Sequence, residues 1–346
     1  MVERDIIVIG GSAGGIGAMH AMLAELPETV PAAMFLVLHT SVHSPGLLAD
    51  VLAVPGAPPV HYAKNGEPFE RGAVYIAPPD LHMLVEPNEH IRLAFGPKEN
   101  RFRPAVDPLF RSAAAAFGPR VAGVVLSGGL DDGTAGLAAI KAAGGVTIVQ
   151  DPQEAEASSM PQNALRHVRI DHCLPVREIA ALLVRLSSGG GSQVTPLKQG
   201  LALPCLALPD KDLEIEVQAV SKNQGLLPEI LELGTPSMLT CPECHDILMR
   251  LEEERSLRFR CPSGHAYTVN SLLAALEERT ESALRNSVRT IEESAMLLAH
   301  MADHVALLNG GATAEEFRLS SQEALRRAQA VRALLPGGQA SVRATS

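Results

Sequence analysis

Ser12 lies in the run IIVIGGSAGGIGAMHAML, between an apolar strand-like stretch and an amphipathic helix-like one, and the pattern from Gly10 to Gly15 is Gly-x-Ser-x-Gly-Gly. A dinucleotide-binding turn needs glycine where this chain has Ser12, and it needs an acidic residue after the second strand where this chain has His39. The spacing instead fits a nucleophile elbow, in which Gly10 and Gly14 let a sharp strand-to-helix turn expose the serine hydroxyl. A serine near neutral pH needs a base to take its proton. That imidazole in turn needs a carboxylate to fix its tautomer and stabilise the imidazolium. His39 closes the run MFLVLH, and the neighbours Asp131 and Asp132 follow VAGVVLSG. If these runs are parallel strands, serine, imidazole and carboxylate gather at their carboxyl ends, where open α/β sheets hold their sites. The order Ser, His, Asp is not the Ser, Asp, His of ordinary α/β-hydrolases, so a different sheet topology is expected.

A second constellation lies further along. Cys241-Pro-Glu-Cys244 and Cys261-Pro-Ser-Gly-His265 are two short knuckles parted by sixteen residues. That spacing suits tetrahedral zinc held by three thiolates and one imidazole, with no open position, so the metal is read as structural. His245 is an alternative fourth ligand. Cys173 and Cys205 have no such partners and are read as core or loop residues. His43, His61, His82 and His90 are read as surface or locally hydrogen-bonding residues, and RPAVDPLF, with Arg103 and Asp107, as a loop leading into a helix.

The elements that must position these residues follow from hydrophobic patterning. With 346 residues, 46% of them hydrophobic, the chain can bury a sizeable core and exceeds the usual size of one domain. Up to about residue 186, IIVIG, MFLVLH, AVYIA, VAGVVLSG and GVTIVQ alternate with helix-length segments. Unbroken apolar strands joined by helices predict an α/β fold with a doubly wound, mainly parallel sheet. The expected organisation is a catalytic α/β domain over 1–186, a flexible Ser/Gly linker over 187–200, and a partly unassigned segment over 201–269 that contains a zinc-ribbon-like module at 241–265. A helical hairpin over 270–336 and a disordered tail over 337–346 follow. In the hairpin, Leu284, Val288, Ile291, Ala295, Leu298, Ala302 and Val305 alternate four and three apart, and Ala324, Ala328, Val331 and Leu335 continue the spacing in a second helix begun by a Thr313…Glu316 capping box. The seam reads as self-packing or, alternatively, as a docking surface for another helical protein.

The net charge of −10 and the lack of a Lys/Arg-dense stretch argue against nucleic acid as a partner. No apolar run nears the roughly 18–20 residues needed to span a bilayer, and the N-terminus lacks the features of a secretory signal. A cytoplasmic protein with no membrane insertion is expected.

The segments VIGGSAGG (8–15), VLHTS (37–41), YIAPPDLHM (75–83), RPAVDPLF (103–110), LSGGLDDGTAGL (126–137) and DPQEAEASSMPQNA (151–164) together resemble the catalytic domain of chemotaxis protein-glutamate methylesterases. The resemblance implies a Ser12–His39–Asp132 triad, choosing Asp132 over Asp131 because it directly precedes glycine. It implies hydrolysis of glutamyl methyl esters on chemoreceptor-type helices, with deamidation of glutamines as a second reaction, and no cofactor for catalysis. The implied oxyanion donors are the backbone amides of Ala13 and Gly129. The family commonly carries threonine and methionine at those two positions. Implied partners are a methylated chemoreceptor or similar helical signalling protein, with a cognate methyltransferase or other signalling proteins also in view. The first strand starts within a few residues of Met1, so a stand-alone form without the usual N-terminal receiver domain is expected. The cysteine segment resembles the zinc-ribbon-like tail of some such stand-alone proteins. Competing readings are a serine esterase or amidase with another substrate, and a non-catalytic signalling adaptor.

Overall fold

The computed structural model describes residues 3–41, 46–189, 210–221, 228–252, 257–307 and 311–335. Most of the expected linker (190–200), His43, Cys205 and the expected tail at 337–346 lie outside the described residues. The chain divides into two compact units, 1–272 and 273–346.

In the first unit the strands are β1 (Ile6–Gly11), β2 (Ala33–Leu38), β3 (Val60–Tyr62), β4 (Val74–Ile76), β5 (His82–Val85), β6 (Ile91–Ala94), β7 (Val121–Val125), β8 (Val146–Gln150) and β9 (His172–Leu174). The helices among them are α1 (Gly15–Leu23), α2 (Leu48–Leu52), α3 (Val106–Phe117), α4 (Thr134–Ala142), α5 (Ser159–His167) and α6 (Val176–Ser187). All five runs expected as strands are present. Seven strands pair in parallel in the order β3-β4-β2-β1-β7-β8-β9, while β5 and β6 form a separate antiparallel hairpin.

Both faces of the sheet are covered, which is why its strands read as continuous apolar runs. Successive residues point to opposite faces, so Ile6 and Val8 pack with Leu109 and Phe110 of α3, Ile140 of α4 and Met160 of α5. Ile7 and Ile9 pack on the other face with Met19 and Met22 of α1, Leu52 of α2 and Leu183 of α6. The strand order reverses at β1: β2 lies on one side and β7 on the other, and loops leaving the carboxyl ends of these three neighbours converge on one crevice.

The segment 201–235, unassigned by sequence reading, contains helix α7 (Asp210–Ser221). Leu213 joins the core beneath α3, Val220 packs with Leu84 and Ala94 of the β5–β6 hairpin, and Ile215 and Ala219 pack with Ile230 and Met249. Next come β10 (Thr235–Thr240), β11 (Ile247–Glu252), β12 (Leu257–Arg260) and β13 (Ala266–Thr268), an antiparallel four-stranded sheet in sequence order. Glu216 of α7 pairs with Arg258 (2.5 Å) and, through Oε2, with Arg111 of α3 (3.0 Å); Glu99 pairs with Arg111 and with Arg260 (2.6 Å). All five charged side chains are at most 5% exposed, so each depends on the others for compensation.

Helices α8 (Val269–Leu307) and α9 (Gly311–Arg332) form the hairpin expected from the seam. Val288, Ala295, Ala302 and Ala328 are buried, Ser321 Oγ donates to Ala295 O (2.8 Å), and Arg332 pairs with Glu292 (2.5 Å). The second helix differs from expectation at its start. It begins at Gly311, so Thr313 lies inside the first turn and does not cap it. The spacing of a capping box recurs within helices and does not by itself mark where one starts.

At Gly10, the last strand position but one before the serine turn, a Cβ would stand 2.2 Å from Val106 Cγ1. Gly10→Ala is expected to destabilise the protein by about 1–3 kcal/mol through overpacking of β1 against α3, read as a lower denaturant midpoint at unchanged m-value.

Candidate active site

The turn between β1 and α1 is only three residues long, Ser12, Ala13 and Gly14, and Gly14 has φ 72°, a left-handed conformation that glycine adopts without a Cβ penalty. Ser12 is held in the turn by its own amide, which donates to Ser127 O (2.9 Å) beyond β7. His39 follows β2, and its amide donates to Gly11 O (3.3 Å), tying the two loops together. The His39 ring spans the crevice. Nδ1 lies 3.1 Å from Ser12 Oγ and Nε2 lies 2.7 Å from Asp132 Oδ2. All three sequence-identified residues are therefore in one hydrogen-bonded row on three adjacent strand ends. Such a row can move a proton from hydroxyl to imidazole and stabilise the resulting imidazolium.

The carboxylate end of the row is buried. Asp132 Oδ2 also accepts from Val106 N (2.7 Å), and Oδ1 accepts from Asp107 N (3.2 Å), Gly133 N (2.9 Å) and Asn100 Nδ2 (2.9 Å). Val106 and Asp107 open α3, so two unpaired amides and the positive end of a helix dipole face this carboxylate. Burial pushes the Asp132 carboxyl up, but the His39 hydrogen bond and charge, with the Val106 and Asn100 donors, outweigh it and hold the group down at about 2. Asp107 goes the other way. Burial and then the Asp132 charge push it up to about 8, against the nearby Arg111.

Asn100 and Phe102 lie just before the RPAVDPLF run and carry no motif of their own, so nothing in the sequence singles them out. Phe102 stacks flat on the His39 imidazole, with centroids 3.6 Å apart and planes 9° from parallel. The Asn100-Arg101 pair is left-handed (φ 49° and 78°), a sign of a constrained loop that has no marker in composition. Asp131, the alternative carboxylate, points away from His39 and accepts from Thr268 Oγ1 (2.7 Å) and Asn270 Nδ2 (3.0 Å). His82 corrects an expectation. It is fully buried, hydrogen-bonded to Pro97 O (2.9 Å) and Ala105 N (3.3 Å), and burial lowers it to about 4, so it is a neutral core residue on the inner side of the β5–β6 hairpin. His90 is hydrogen-bonded to Asn88 O (2.8 Å), and His61 packs edge-on to Tyr75.

In the antiparallel sheet, the β10–β11 and β12–β13 turns bring Cys241, Cys244, Cys261 and His265 together with their ligand atoms all within 4.8 Å of one another. His265 completes the group, not His245. Cys244 Sγ to Cys261 Sγ and Cys261 Sγ to His265 Nδ1 are each 3.5 Å. A tetrahedral ion with bonds of about 2.3 Å to sulfur would set sulfurs about 3.8 Å apart, so this cluster is of a size to hold a metal. Cys173, in β9, is half-buried and apart from it.

Comparison with known proteins bears on the α/β part of the chain. Residues 7–183 match the family model for the CheB methylesterase domain. A protein-glutamate methylesterase/protein-glutamine glutaminase from Anaeromyxobacter dehalogenans is 39% identical over 184 residues, 53% of each protein. A Leptospira interrogans relative carrying the same pair of activities in its name is 35% identical over 192 residues, 56% of this chain and 100% of its own length. The chain thus spans the whole of one relative and about half the length of the other. The Thermotoga maritima CheB methylesterase catalytic domain superposes with a TM-score of 0.51 at 31% identity, covering 54% of this chain and all of that domain. With the parallel sheet, the serine turn and a family match over half its length, this chain belongs to the CheB methylesterase family.

Proposed function

We propose that this protein hydrolyses methyl esters of glutamate side chains on helical, chemoreceptor-type signalling proteins, using Ser12 as nucleophile, His39 as general base and Asp132 as its orienting carboxylate. The observation that carries the reading is the His39 imidazole bridging Ser12 Oγ (3.1 Å) and Asp132 Oδ2 (2.7 Å) in a loop cluster built by a methylesterase fold. Ser12 Oγ attacks the ester carbonyl while His39 Nδ1 takes its proton. The C–O bond to methoxide breaks as His39 returns that proton, releasing methanol and leaving an acyl-enzyme. Water, deprotonated by the same imidazole, then frees the glutamate and restores Ser12. A glutamine amide would follow the same course with ammonia as leaving group.

The oxyanion donors in this reading are the amides of Ala13 and Gly129. Their neighbours are already committed, Ser12 N to Ser127 O and Gly128 N to Ala157 O (2.8 Å), and neither proposed donor is engaged in such a bond among the described residues. A Cβ at Gly129 would meet nothing within 4 Å, so this position borders open space where a substrate can approach. No cofactor enters these steps. The Cys/His cluster is assigned to structural zinc, because three thiolates and an imidazole complete a tetrahedron and leave no place for a substrate. No helix among the described residues is long and apolar enough to cross a membrane, and we place the protein in the cytoplasm, with methylated receptor helices as its partner.

Methanol release from a methylated receptor signalling fragment is expected for the wild type and to fall by roughly ten-thousand-fold or more in Ser12→Ala; a folded wild type that releases none would overturn the assignment. Metal analysis should find close to one zinc per chain, lost in Cys241→Ala along with part of the thermal stability. The buried carboxyls make a pH prediction. Asp107 sits at about 8 in the folded protein against an ordinary 3.8, so the folded state keeps a proton that the unfolded chain gives up. The stabilisation this brings is complete below about pH 4 and is withdrawn as pH rises toward 8. Asp107→Asn should therefore flatten the fall in unfolding free energy between pH 5 and 8, as measured by denaturant titration at each pH.

A further inference from the structure

The chain from Lys98 to Phe102 runs along the edge of the sheet that carries the Cys/His cluster. Ala266 N donates to Lys98 O (3.3 Å), Asn100 N donates to Ala266 O (2.8 Å), and Glu99 stands opposite Ala266 as a parallel bridge. Glu99 is pinned on both sides, by Arg260 of β12 (2.6 Å) and by Arg111 of α3. The loop that follows touches two members of the row: Phe102 lies on the His39 ring and Asn100 reaches Asp132.

Asn100 is 4% exposed, and its amide group is fully used. Nδ2 donates to Asp132 Oδ1 and to Asp107 Oδ2, each at 2.9 Å. Oδ1 accepts from Thr268 N (3.1 Å) and Ser271 Oγ (3.0 Å). Two N–H donors and two lone pairs are all that a primary amide has. The orientation is also determined, since the opposite assignment would set the amide oxygen against the Asp132 carboxylate and its N–H groups against the Thr268 backbone donor. Thr268 and Ser271 are themselves joined: Ser271 N donates to Thr268 Oγ1 (3.0 Å), the single Thr268 N–H is shared between Asn100 Oδ1 and Ser271 Oγ (2.8 Å), and Thr268 Oγ1 donates to Asp131 beside Asp132. Both residues lie well beyond the 7–183 stretch that matches the family, directly after the β12–β13 turn that supplies Cys261 and His265.

We propose that Asn100 is a positioning residue for the Asp132 carboxylate, and that Thr268 and Ser271, just past the Cys/His cluster, set its orientation. The inference rests on Ser12, His39 and Asp132 acting as the triad. In this arrangement the C-terminal module completes the active site from behind. It holds Asn100 by its carbonyl, so that the amide presents one N–H to Asp132 and the other to Asp107. Asp132 then keeps its oxygen aimed at His39 Nε2, and a catalytic domain ending near residue 186 would leave Asn100 without its two donors.

The test uses the full-length chain and p-nitrophenyl acetate, an ester too small to depend on receptor contacts, with Ser271→Ala and Asn100→Ala compared with wild type. Removing a hydrogen bond to a buried charge, worth about 1.5–3 kcal/mol, predicts a kcat about 10–100-fold lower in Asn100→Ala. A smaller loss of about 3–10-fold is expected in Ser271→Ala, which removes one neutral donor and touches no triad residue. KM should stay within about twofold in both, since neither side chain contacts substrate. The far-downfield proton resonance of the His39–Asp132 hydrogen bond should shift or broaden in both variants. If Asn100→Ala fails to fold, Ser271→Ala decides alone. Folded variants with wild-type kcat and an unmoved resonance, or variants whose only change is a lower melting temperature, would overturn the proposal. Ser12→Ala run alongside separates it from the reading beneath it. A rate that survives Ser12→Ala removes the triad and this inference with it, whereas a rate abolished by Ser12→Ala but indifferent to Ser271→Ala and Asn100→Ala removes the inference alone.

Discussion

A carboxylate that is 2% exposed must find its solvation within the protein, and much of the site's architecture follows from how Asp132 does so. Two amides come from the first turn of α3, one from Gly133, one N–H from Asn100 and one from His39. These donors belong to separate stretches of chain, and each must be brought to within hydrogen-bond distance. The sheet order provides the frame. With β1 between β2 and β7, the loops bearing Ser12, His39 and Asp132 leave neighbouring strand ends, and α3 crosses beneath them with its N-terminus directed at the carboxylate. Close packing of Gly10 against Val106 keeps α3 in that place.

The buried charges set a second, related constraint. Glu99, Arg111, Glu216, Arg258 and Arg260 come from a loop, two helices and a strand, and none has water to fall back on. Separating α7 or the Cys/His sheet from α3 would strand at least one of them, at a cost of roughly 3–5 kcal/mol for a broken buried pair. The sheet that carries the metal-sized cluster is thus fastened to the α/β layers by electrostatic necessity as well as by the apolar contacts of α7. Its attachment shapes the 98–102 loop, and the physical route from the cluster to the Ser12–His39–Asp132 row is a short one: one β-turn, one strand edge and one asparagine.

Much of this was legible in the sequence. The apolar runs identified the parallel sheet because burial on both faces leaves no alternation to obscure them. Ser12 was marked by the glycines that its turn requires, His39 and the Asp131–Asp132 pair by their places at the ends of such runs, Asp132 by the family resemblance, and Cys241, Cys244, Cys261 and His265 by ligand spacing. What was not legible depends on contacts distant in sequence. Asn100 and Thr268 are 168 residues apart and neither carries a motif. The short strands β3 and β9 and helix α7 carry weak local patterns and are stabilised by what they pack against. His82 could not be told from a surface histidine because nothing local shows that Pro97 O and Ala105 N will satisfy it in the core. Thr313 matched a cap pattern that the helix overran.

The sequence by itself determined the long apolar strands and the chemical types available: a serine in a glycine turn, an imidazole and two neighbouring carboxylates after apolar runs, three cysteines and a histidine at metal-ligand spacing, and a heptad-like seam. Local spacing is enough for these, since turns, strands and chelating knuckles are made by residues a few positions apart. Where residue types and spacing alone left Asp131 and Asp132 equivalent, the tertiary structure turns Asp132 to His39 and Asp131 to Thr268, and it alone puts an asparagine outside every motif between the Asp132 carboxylate and the C-terminal module. Those choices depend on where buried charge can be satisfied, and a buried charge is satisfied by whichever donors the fold brings near, irrespective of their distance along the chain.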